Sequence, residues 1–155
     1  MMTEKQFTED VEQYLDMVYR IALNWFRIPA DAEDVAQTVM LRLWQTETVF
    51  ESEAHLRHWL TRVTVNCCKD LSRKAWKRRT VPLEAAAEPV FADPACQTLF
   101  QEVMALPGKY RVPLYLYYYE GYSVAEVGAL LEMKPSTVQT RLARARARLK
   151  TQMEE

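Results

Sequence analysis

The sequence predicts an all-α protein built from two small helical domains. Apolar residues recur at steps of three and four along several segments, which is the period of one face of a helix. No run of alternating β-branched residues is sustained, and the 155 residues include only three glycines. A segment with three prolines interrupts the helical pattern at residues 80–94. We interpret it as a flexible linker between the two domains.

The first domain is predicted to occupy residues 1–79 and to contain three helices. They are expected over Phe7–Phe26, from Asp31 to Trp44 or Gln45, and from Glu53 to about Arg78. Asp31 is the expected N-cap of the second helix, because a carboxylate accepts hydrogen bonds from the free N–H groups of the first turn.

The second domain is predicted over residues 95–155 and contains four helices. Their expected ranges are Ala95–Leu106, about Lys109–Glu120, Ser123–Leu131 and Thr137–Lys150. Pro113 is expected to kink the second of these helices or to move its start, since proline removes a helical N–H and its ring clashes with the preceding turn.

The last two helices are predicted to form a helix-turn-helix, with a break at Glu132–Pro135 and Ser136 as the N-cap of the final helix. One side of the final helix is apolar and carries Val138, Leu142, Ala145 and Leu149. The other side carries Gln139, Thr140, Ala143 and Arg144, flanked by Arg141, Arg146 and Arg148. A helix that packs on one side and exposes small polar and basic groups on the other suits the DNA major groove.

The charges are segregated although the formal net charge is only −1. Residues 69–79 and 134–150 hold 12 of the 20 Lys and Arg residues, and the second of these segments has no acidic residue. Residues 1–60 hold eleven acidic and five basic residues. This distribution predicts two contacts with a polyanion and a separate surface for another partner.

A second polar stripe is predicted on the third helix. Arg62, Asn66, Lys69 and Arg73 recur at steps of four, three and four, and Lys74, Lys77, Arg78 and Arg79 continue the positive charge. A basic stripe with a central Asn is able to hold phosphates and contact base edges. Trp59 and Trp76 are candidates for stacking on bases, although the apolar border around Trp59 favours a core position.

Other chemistry is poorly supported by the sequence. His55 and His58 lie three residues apart but have no obvious third metal ligand, and Cys67, Cys68 and Cys96 are too few for a disulfide framework. We expect no enzymatic activity and no cofactor, because no nucleophile with a nearby base and no glycine-rich phosphate loop is found. The tyrosines at residues 115–122 are expected to pack in the core or in an interface.

No apolar run is long enough to cross a membrane, and the first residues lack the core of a signal peptide. The protein is therefore expected to be cytoplasmic, with no membrane insertion.

Two sequence blocks carry a resemblance to a known family. Asp31–Trp44, followed by Trp59–Asn66 with Asp70, Leu71 and Arg73, resembles region 2 of bacterial sigma factors. Leu106-Pro107, Arg111, Glu120–Glu126 and Thr137–Arg146 are similar to region 4. A chain with these two regions and a linker resembles the extracytoplasmic-function (ECF) group.

The resemblance implies a factor that joins core RNA polymerase and directs it to promoters. Region 2 would recognise and melt the −10 element through Arg62, Asn66, Lys69, Arg73, Lys74 and Lys77, and the Thr46–Ser52 loop would hold a flipped base. Region 4 would bind the −35 element through Ser136, Thr137, Gln139, Thr140, Arg141, Arg144, Arg146 and Arg148. Asp34, Gln37, Thr38 and Leu41 would face the polymerase.

The resemblance also implies partners and an oligomeric state. The polymerase contacts would be the β′ clamp helices and the β flap, the DNA partner would be a promoter, and an anti-sigma factor would regulate a chain that is monomeric when free.

Two positions depart from the family pattern. Thr38 stands where the family commonly has Glu, which leaves more of the polymerase contact to Asp34 and Gln37. Glu132 stands where the turn usually has Gly, and a left-handed backbone there would cost on the order of 1 kcal/mol.

Two other functions remain open at this stage. A stand-alone DNA-binding regulator would use only the helix-turn-helix, form a homodimer and bind a palindromic site. A small metal-dependent enzyme would use His55, His58 and the cysteines, and would contain bound metal.

Overall fold

The computed structural model describes residues 2–75 and 94–154, with the side chains of residues 75 and 94–97 left outside that description. Over these ranges the chain forms helices and no strand, which confirms the all-α prediction. The helices are α1 (Glu4–Phe26), α2 (Pro29–Gln45), α3 (Glu53–Ala75), α4 (Pro94–Met104), α5 (Gly108–Tyr118), α6 (Val124–Leu131) and α7 (Pro135–Glu154).

The chain divides into two compact units, Met1–Ala86 and Ala87–Glu155. The predicted linker falls almost wholly outside the described residues, as do residues 76–78 at the predicted end of the third helix. No helix of the described residues is long and apolar enough to cross a membrane.

Helices α1, α2 and α3 pack around one core in the first unit. Its fully buried side chains include Val18, Val39, Leu43, Leu60 and Val65. Burial of one such side chain contributes about 1.5–3 kcal/mol. A hydrogen bond from the indole N–H of Trp25 to the Ser72 hydroxyl, 2.8 Å long, joins α1 to α3.

Helix α2 begins two residues before the predicted start, so Asp31 is not its N-cap. Pro29 is the first helical residue, and Ile28 occupies the cap without a side-chain hydrogen bond. Proline suits this position because its ring fixes φ in the helical range and its missing N–H would have no helical partner there. Asp31 lies in the first turn, where its negative charge is favourable to the helix dipole.

The second unit packs α5 and α6 against α7, and α4 contacts α7 as well. Its core includes Leu106, Leu116, Val127 and Val138, all with no exposed surface. The buried guanidinium of Arg111 donates a 2.7 Å hydrogen bond to the Leu106 carbonyl oxygen, which satisfies an acceptor after the end of α4.

Helix α5 contains Pro113 in its interior, so this proline does not set the start of the helix. The first helical residue is Gly108, the last residue of the predicted break at Leu106-Pro107-Gly108 and one residue before the predicted start at Lys109.

Helices α6 and α7 form the predicted helix-turn-helix. Ser123 and Glu126 make a capping box: the Ser123 hydroxyl accepts from the Glu126 N–H, and the Glu126 carboxylate accepts from the Ser123 N–H. Glu132, which stands where the family pattern usually has Gly, has φ 58° and ψ 48° and is therefore in the left-handed conformation. Ser136 is not the cap of α7, because the helix already begins at Pro135.

Candidate nucleic-acid interface

Helix α7 has one buried side and one exposed side, as its sequence predicts. Val138 and Ala145 have no exposed surface and Leu142 is 3% exposed, while Leu149 is half-buried. These side chains fix the rotation of α7 in the unit, because turning the helix would expose them to water. The opposite side therefore presents its polar groups outward.

The predicted DNA-binding residues of α7 are accessible. Thr137 and Arg141 are half-buried at the edge of the packed side, whereas the remaining members are exposed: Ser136, Gln139, Thr140, Arg144, Arg146 and Arg148. Within the helix, the Thr140 hydroxyl donates to the Ser136 carbonyl oxygen at 3.0 Å. Its oxygen keeps free lone pairs that are able to accept a hydrogen bond from a base edge.

Tyrosines of α5 hold two arginines on opposite flanks of α7. The Arg146 guanidinium donates a 2.9 Å hydrogen bond to the Tyr118 hydroxyl. The Arg148 guanidinium carbon lies 5.0 Å from the centre of the Tyr110 ring, a cation–π distance. Arg148 and Arg144 are four residues apart and so occupy the same flank of the helix.

Tyr110 lies in a positive environment. It is 5% exposed, and the Lys109 ammonium is also 5.0 Å from its ring centre. Burial by itself raises the pKa of the Tyr110 hydroxyl, but Lys109, Arg148 and Arg144 together outweigh burial and lower that pKa. The positive charge around Tyr110 therefore favours the binding of an anion on the flank of α7 that carries Arg144 and Arg148.

The predicted stripe on α3 is a solvent-facing surface of the first unit. Arg62, Asn66, Arg73 and Lys74 are exposed, and Lys69 is half-buried. Arg73 lies 3.6 Å from the Asp70 carboxylate, with both side chains largely exposed, so this ion pair contributes little stability and leaves Arg73 available. Trp76, Lys77, Arg78 and Arg79 lie outside the described residues.

The loop before α3 is anchored by an aromatic cluster of Phe50, His55 and Trp59. The Phe50 ring meets the His55 and Trp59 rings edge-on, with centroids 5.3 and 5.4 Å away. The backbone N–H of Glu51 donates to His55 Nδ1 at 3.1 Å. At the tip, Val49 is 84% exposed, so the loop offers an apolar side chain to an incoming group.

Trp59 is half-buried in this cluster, consistent with the packing role that its sequence position favours. Within residues 2–75 and 94–154, no three His, Cys, Asp or Glu side chains are grouped to hold a metal ion.

An exposed stripe on α2 forms a separate surface. Asp34, Gln37, Thr38 and Leu41 are all exposed, and Leu41 keeps 54% of its surface in contact with water. Trp44 extends the stripe with 37% exposure and packs edge-on against Phe7. An apolar side chain among acidic and amide groups is typical of a protein-binding surface.

The order of these elements matches two family models. The model of Sigma-70 region 2 matches residues 11–78, and the model of Sigma-70 region 4 matches residues 97–149. The ECF RNA polymerase sigma factor SigM of Mycobacterium tuberculosis (strain ATCC 25618 / H37Rv) is 35% identical over 137 residues, which cover 85% of this chain and 69% of SigM.

The chain belongs to the ECF family of RNA polymerase sigma factors. Another relative, SigW of Bacillus subtilis (strain 168), is 27% identical over 167 residues, covering 96% of this chain and 89% of SigW. As an ECF sigma factor, the protein acts in promoter-specific transcription initiation by RNA polymerase.

Solved sigma factors share the fold. The sigma factor RpoE in its complex with the anti-sigma factor NepR from Bartonella quintana has a TM-score of 0.77 at 19% identity, covering 97% of this chain and 98% of that one. CnrH in complex with the cytosolic domain of CnrY has a TM-score of 0.65 at 24% identity, covering 98% and 90%.

Two residues of this ECF sigma factor that shape the α7 surface were not identified from its sequence. Tyr110 lies outside the helix-turn-helix, and only tertiary packing brings it to Arg148. Gly128 lies inside α6, where a Cβ would meet the Met133 carbonyl oxygen at 2.6 Å. A glycine within a short helix before a turn is the one local signal that points to this close approach.

Proposed function

We propose that α7 of this ECF sigma factor recognises the −35 element of its promoters. The observation that carries the proposal is the division of α7 into a buried apolar side and an exposed side. Gln139, Thr140 and Arg144 occupy that exposed side and have the donors and acceptors that base edges in the major groove require.

The remaining polar residues of α7 surround these three and hold the DNA backbone. Arg141, Arg146 and Arg148 contact phosphates from the two flanks, and Ser136 and Thr137 contact a phosphate near the start of the helix. Support comes from the segregated charge, since residues 134–150 contain six basic residues and no acidic one. Phosphate contacts position the helix, and base contacts select the sequence.

The first unit contacts the −10 element. Arg62, Asn66, Lys69, Arg73 and Lys74 form the strand-binding stripe on α3. Lys77 is assigned to the same DNA contact and lies outside the described residues. The loop of residues 46–52 receives an unstacked base. This role of the loop is supported by the anchored Phe50 ring and the exposed Val49 side chain, which offer an apolar surface to a base.

The α2 stripe binds the β′ clamp helices of core polymerase, and the second unit contacts the β flap. Asp34 and Gln37 supply the polar part of the α2 contact, Thr38 lies between them and Leu41, and Leu41 supplies the apolar anchor. Two observations support this polymerase contact. All four side chains are exposed, and one of them is a leucine, a residue that is usually buried.

Regulation and location follow from this role. An anti-sigma factor binds the chain and prevents polymerase binding, as the complex of RpoE with the anti-sigma factor NepR suggests. The free protein is a monomer that acts in the cytoplasm, where its polymerase is found, and it performs no catalysis of its own.

The test is transcription in vitro with core polymerase on genomic fragments. Core polymerase with the protein should start at a defined set of promoters, and core polymerase alone should not. The variant with Gln139→Ala, Thr140→Ala and Arg144→Ala should lose these starts. Thr151→Ala changes an exposed threonine near the end of the same helix and should keep them. Unchanged start sites in the triple variant would overturn the role of α7.

A further inference from the structure

Tyr118, the last residue of α5, joins that helix to α7 at the surface of the second unit. Its hydroxyl accepts a 2.9 Å hydrogen bond from the guanidinium of Arg146, which lies 28 residues further along the chain. Tyr118 is 57% exposed and Arg146 is exposed as well. Both polar groups of the pair are therefore accessible to a ligand.

The hydrogen bond determines how the Tyr118 hydroxyl is able to act. Its oxygen accepts from Arg146, so its own proton points away from the guanidinium and toward another acceptor. The guanidinium has several N–H groups and gives one of them to Tyr118, which leaves others for the same acceptor. The positive charge also polarises the hydroxyl and makes it a stronger donor. Two adjacent donors of this kind match the oxygens of a phosphate.

Aromatic packing restrains the Tyr118 ring before any ligand binds. The Tyr117 ring meets it edge-on, with centroids 4.9 Å apart and ring planes at 85°. A tyrosine has few side-chain torsions, so a hydroxyl that is held through both the ring and the oxygen loses little freedom on binding.

The charge and the position of the pair favour the DNA backbone over a base edge. Residues 134–150 contain six basic residues and no acidic one. Glu120, the acidic residue nearest to Tyr118 along the chain, is 7% exposed and accepts a 2.8 Å hydrogen bond from the Tyr115 hydroxyl. Arg146 follows Gln139 by two helical turns, about 10 Å along α7, which places it beyond the proposed base contacts.

We propose that Tyr118 and Arg146 form one phosphate-binding subsite for the −35 backbone, in which the Tyr118 hydroxyl donates directly to a phosphate oxygen. This inference rests on the proposed role of α7 at the −35 element. Its new element is a DNA contact made from α5, outside the helix-turn-helix, by an uncharged residue.

The first experiment measures the affinity of the reconstituted holoenzyme for its promoter at several salt concentrations. Tyr118→Phe removes the hydroxyl and keeps the ring, and should lower affinity about three- to tenfold, as expected for one exposed hydrogen bond. The salt slope should stay unchanged, because an uncharged donor releases no counterion from DNA. Arg146→Ala should lower affinity and also decrease the slope by about one.

Tyr119→Phe is the matched control. Tyr119 is the neighbouring exposed tyrosine, at 62% exposure, and its ring stacks on Tyr115 with centroids 5.0 Å apart. This variant should keep the affinity of the unmodified protein. Equal losses in Tyr118→Phe and Tyr119→Phe would overturn the specific contact.

A double-variant comparison separates a direct contact from mere support of Arg146. In the Arg146→Ala background, Tyr118→Phe should still lower affinity by at least about twofold, because the hydroxyl still donates to the phosphate. No further loss in that background would mean that Tyr118 acts only by holding Arg146, and would overturn the inference.

Neutral methylphosphonate linkages, placed one at a time in the −35 element, identify the phosphate itself. At one linkage Tyr118→Phe should cost nothing further, and Arg146→Ala should lose most of its effect at the same linkage. At every other linkage both variants should keep their full effect. A loss from Tyr118→Phe that is the same at all linkages would show that the substitution acts through the fold, and would refute the subsite.

The inference and the proposed function fail in different ways. If the triple variant of Gln139, Thr140 and Arg144 loses its start sites while Tyr118→Phe leaves affinity unchanged, the subsite is wrong and the role of α7 stands. If Tyr118→Phe instead weakens binding to core polymerase alone, Tyr118 belongs to a protein contact and the subsite is also wrong. Unchanged start sites in the triple variant would remove the role of α7, and the inference with it.

Discussion

Gly128 and Met133 approach each other so closely that no larger side chain fits at residue 128. A Cβ at this position would lie 2.6 Å from the Met133 carbonyl oxygen, and the Met133 N–H donates to the Gly128 carbonyl oxygen at 2.9 Å. This contact closes the turn between α6 and α7. The orientation of the DNA-facing helix therefore depends on the absence of a side chain in the helix before it.

Gly128→Ala should destabilise the second unit by about 1–3 kcal/mol, because the contact is with backbone and the turn must shift to relieve it. Gly108→Ala is the matched control, since a Cβ there would meet the Arg111 guanidinium at an ordinary 3.6 Å. All four tryptophans lie within residues 1–86, so tryptophan fluorescence follows the first unit. Fluorescence therefore identifies which calorimetric transition belongs to the first unit, and the other belongs to the second. Gly128→Ala should lower the transition temperature of the second unit, and Gly108→Ala should not. Equal transition temperatures for the two variants would contradict the steric argument.

Glu132→Gly should raise the stability of the second unit by roughly 0.5–1 kcal/mol. Glu132 has φ 58°, a left-handed conformation that costs a residue with a Cβ about 1 kcal/mol or more and is unstrained for glycine. The melting temperature of the second unit measures the effect. A decrease would show that an interaction of the Glu132 side chain outweighs the backbone strain.

Helix positions were predictable because buried residues repeat at helical spacing, and the start of α3 at Glu53 was predicted as well, whereas the starts of α2 and α7 were not. Asp31 and Ser136 were both expected to be caps, and in both cases the helix begins earlier, at Pro29 and Pro135. The reason is the same in both cases, since a proline at the first helical position has φ in the helical range and has no N–H that would need a helical partner, so the helix is able to begin there.

The buried and exposed sides of α7 could be predicted from the periodicity of its own sequence, but the contacts that hold its arginines in place could not. Val138, Leu142 and Ala145 repeat within one helix, and their spacing predicts which side is buried. Contacts such as Arg148 with Tyr110 or Arg146 with Tyr118 join different helices. They depend on how the helices pack against each other, and no short-range pattern contains that information.

Leu41→Asp should weaken binding to core polymerase by at least about tenfold, equivalent to about 1.4 kcal/mol. Leu41 is 54% exposed on the α2 stripe, so the change leaves the core intact while placing a charge in an apolar contact. Leu15→Asp, at a leucine of α1 with 38% exposure, is the control. Affinity for core polymerase is measured by titration, and unchanged binding of Leu41→Asp would exclude the stripe as the interface.

The first unit should lose stability as the pH rises above about 8.5, the ordinary pKa of a thiol. Burial raises the pKa of both Cys67 and Cys68, most strongly for the fully buried Cys68. Below that pH the thiol is protonated in both the folded and the unfolded state, so its ionisation does not affect the free energy of unfolding. Above it only the unfolded thiol ionises, so the unfolded state binds fewer protons and becomes favoured by up to about 1.4 kcal/mol per pH unit for Cys68.

Cys68→Ala should flatten this alkaline slope, as measured by urea unfolding followed with tryptophan fluorescence. Cys67→Ala should flatten it less. Tyr14 and Tyr19, whose pKa values burial also raises, add to the slope only above about pH 10. A slope between pH 8.5 and 10 that is the same in Cys68→Ala would refute the contribution of the thiol.

Arg144→Ala and Arg148→Ala should affect DNA binding in different ways, because the two arginines have different proposed targets. Loss of Arg144 removes a base contact and should cost about 1–3 kcal/mol only for promoters with the preferred base pair. Loss of Arg148 removes a phosphate contact, so affinity should fall almost equally for all sequences and the salt slope should decrease by about one. Holoenzyme affinities measured at several salt concentrations separate the two effects. A sequence-dependent effect of Arg148→Ala would contradict the proposed phosphate contact of Arg148.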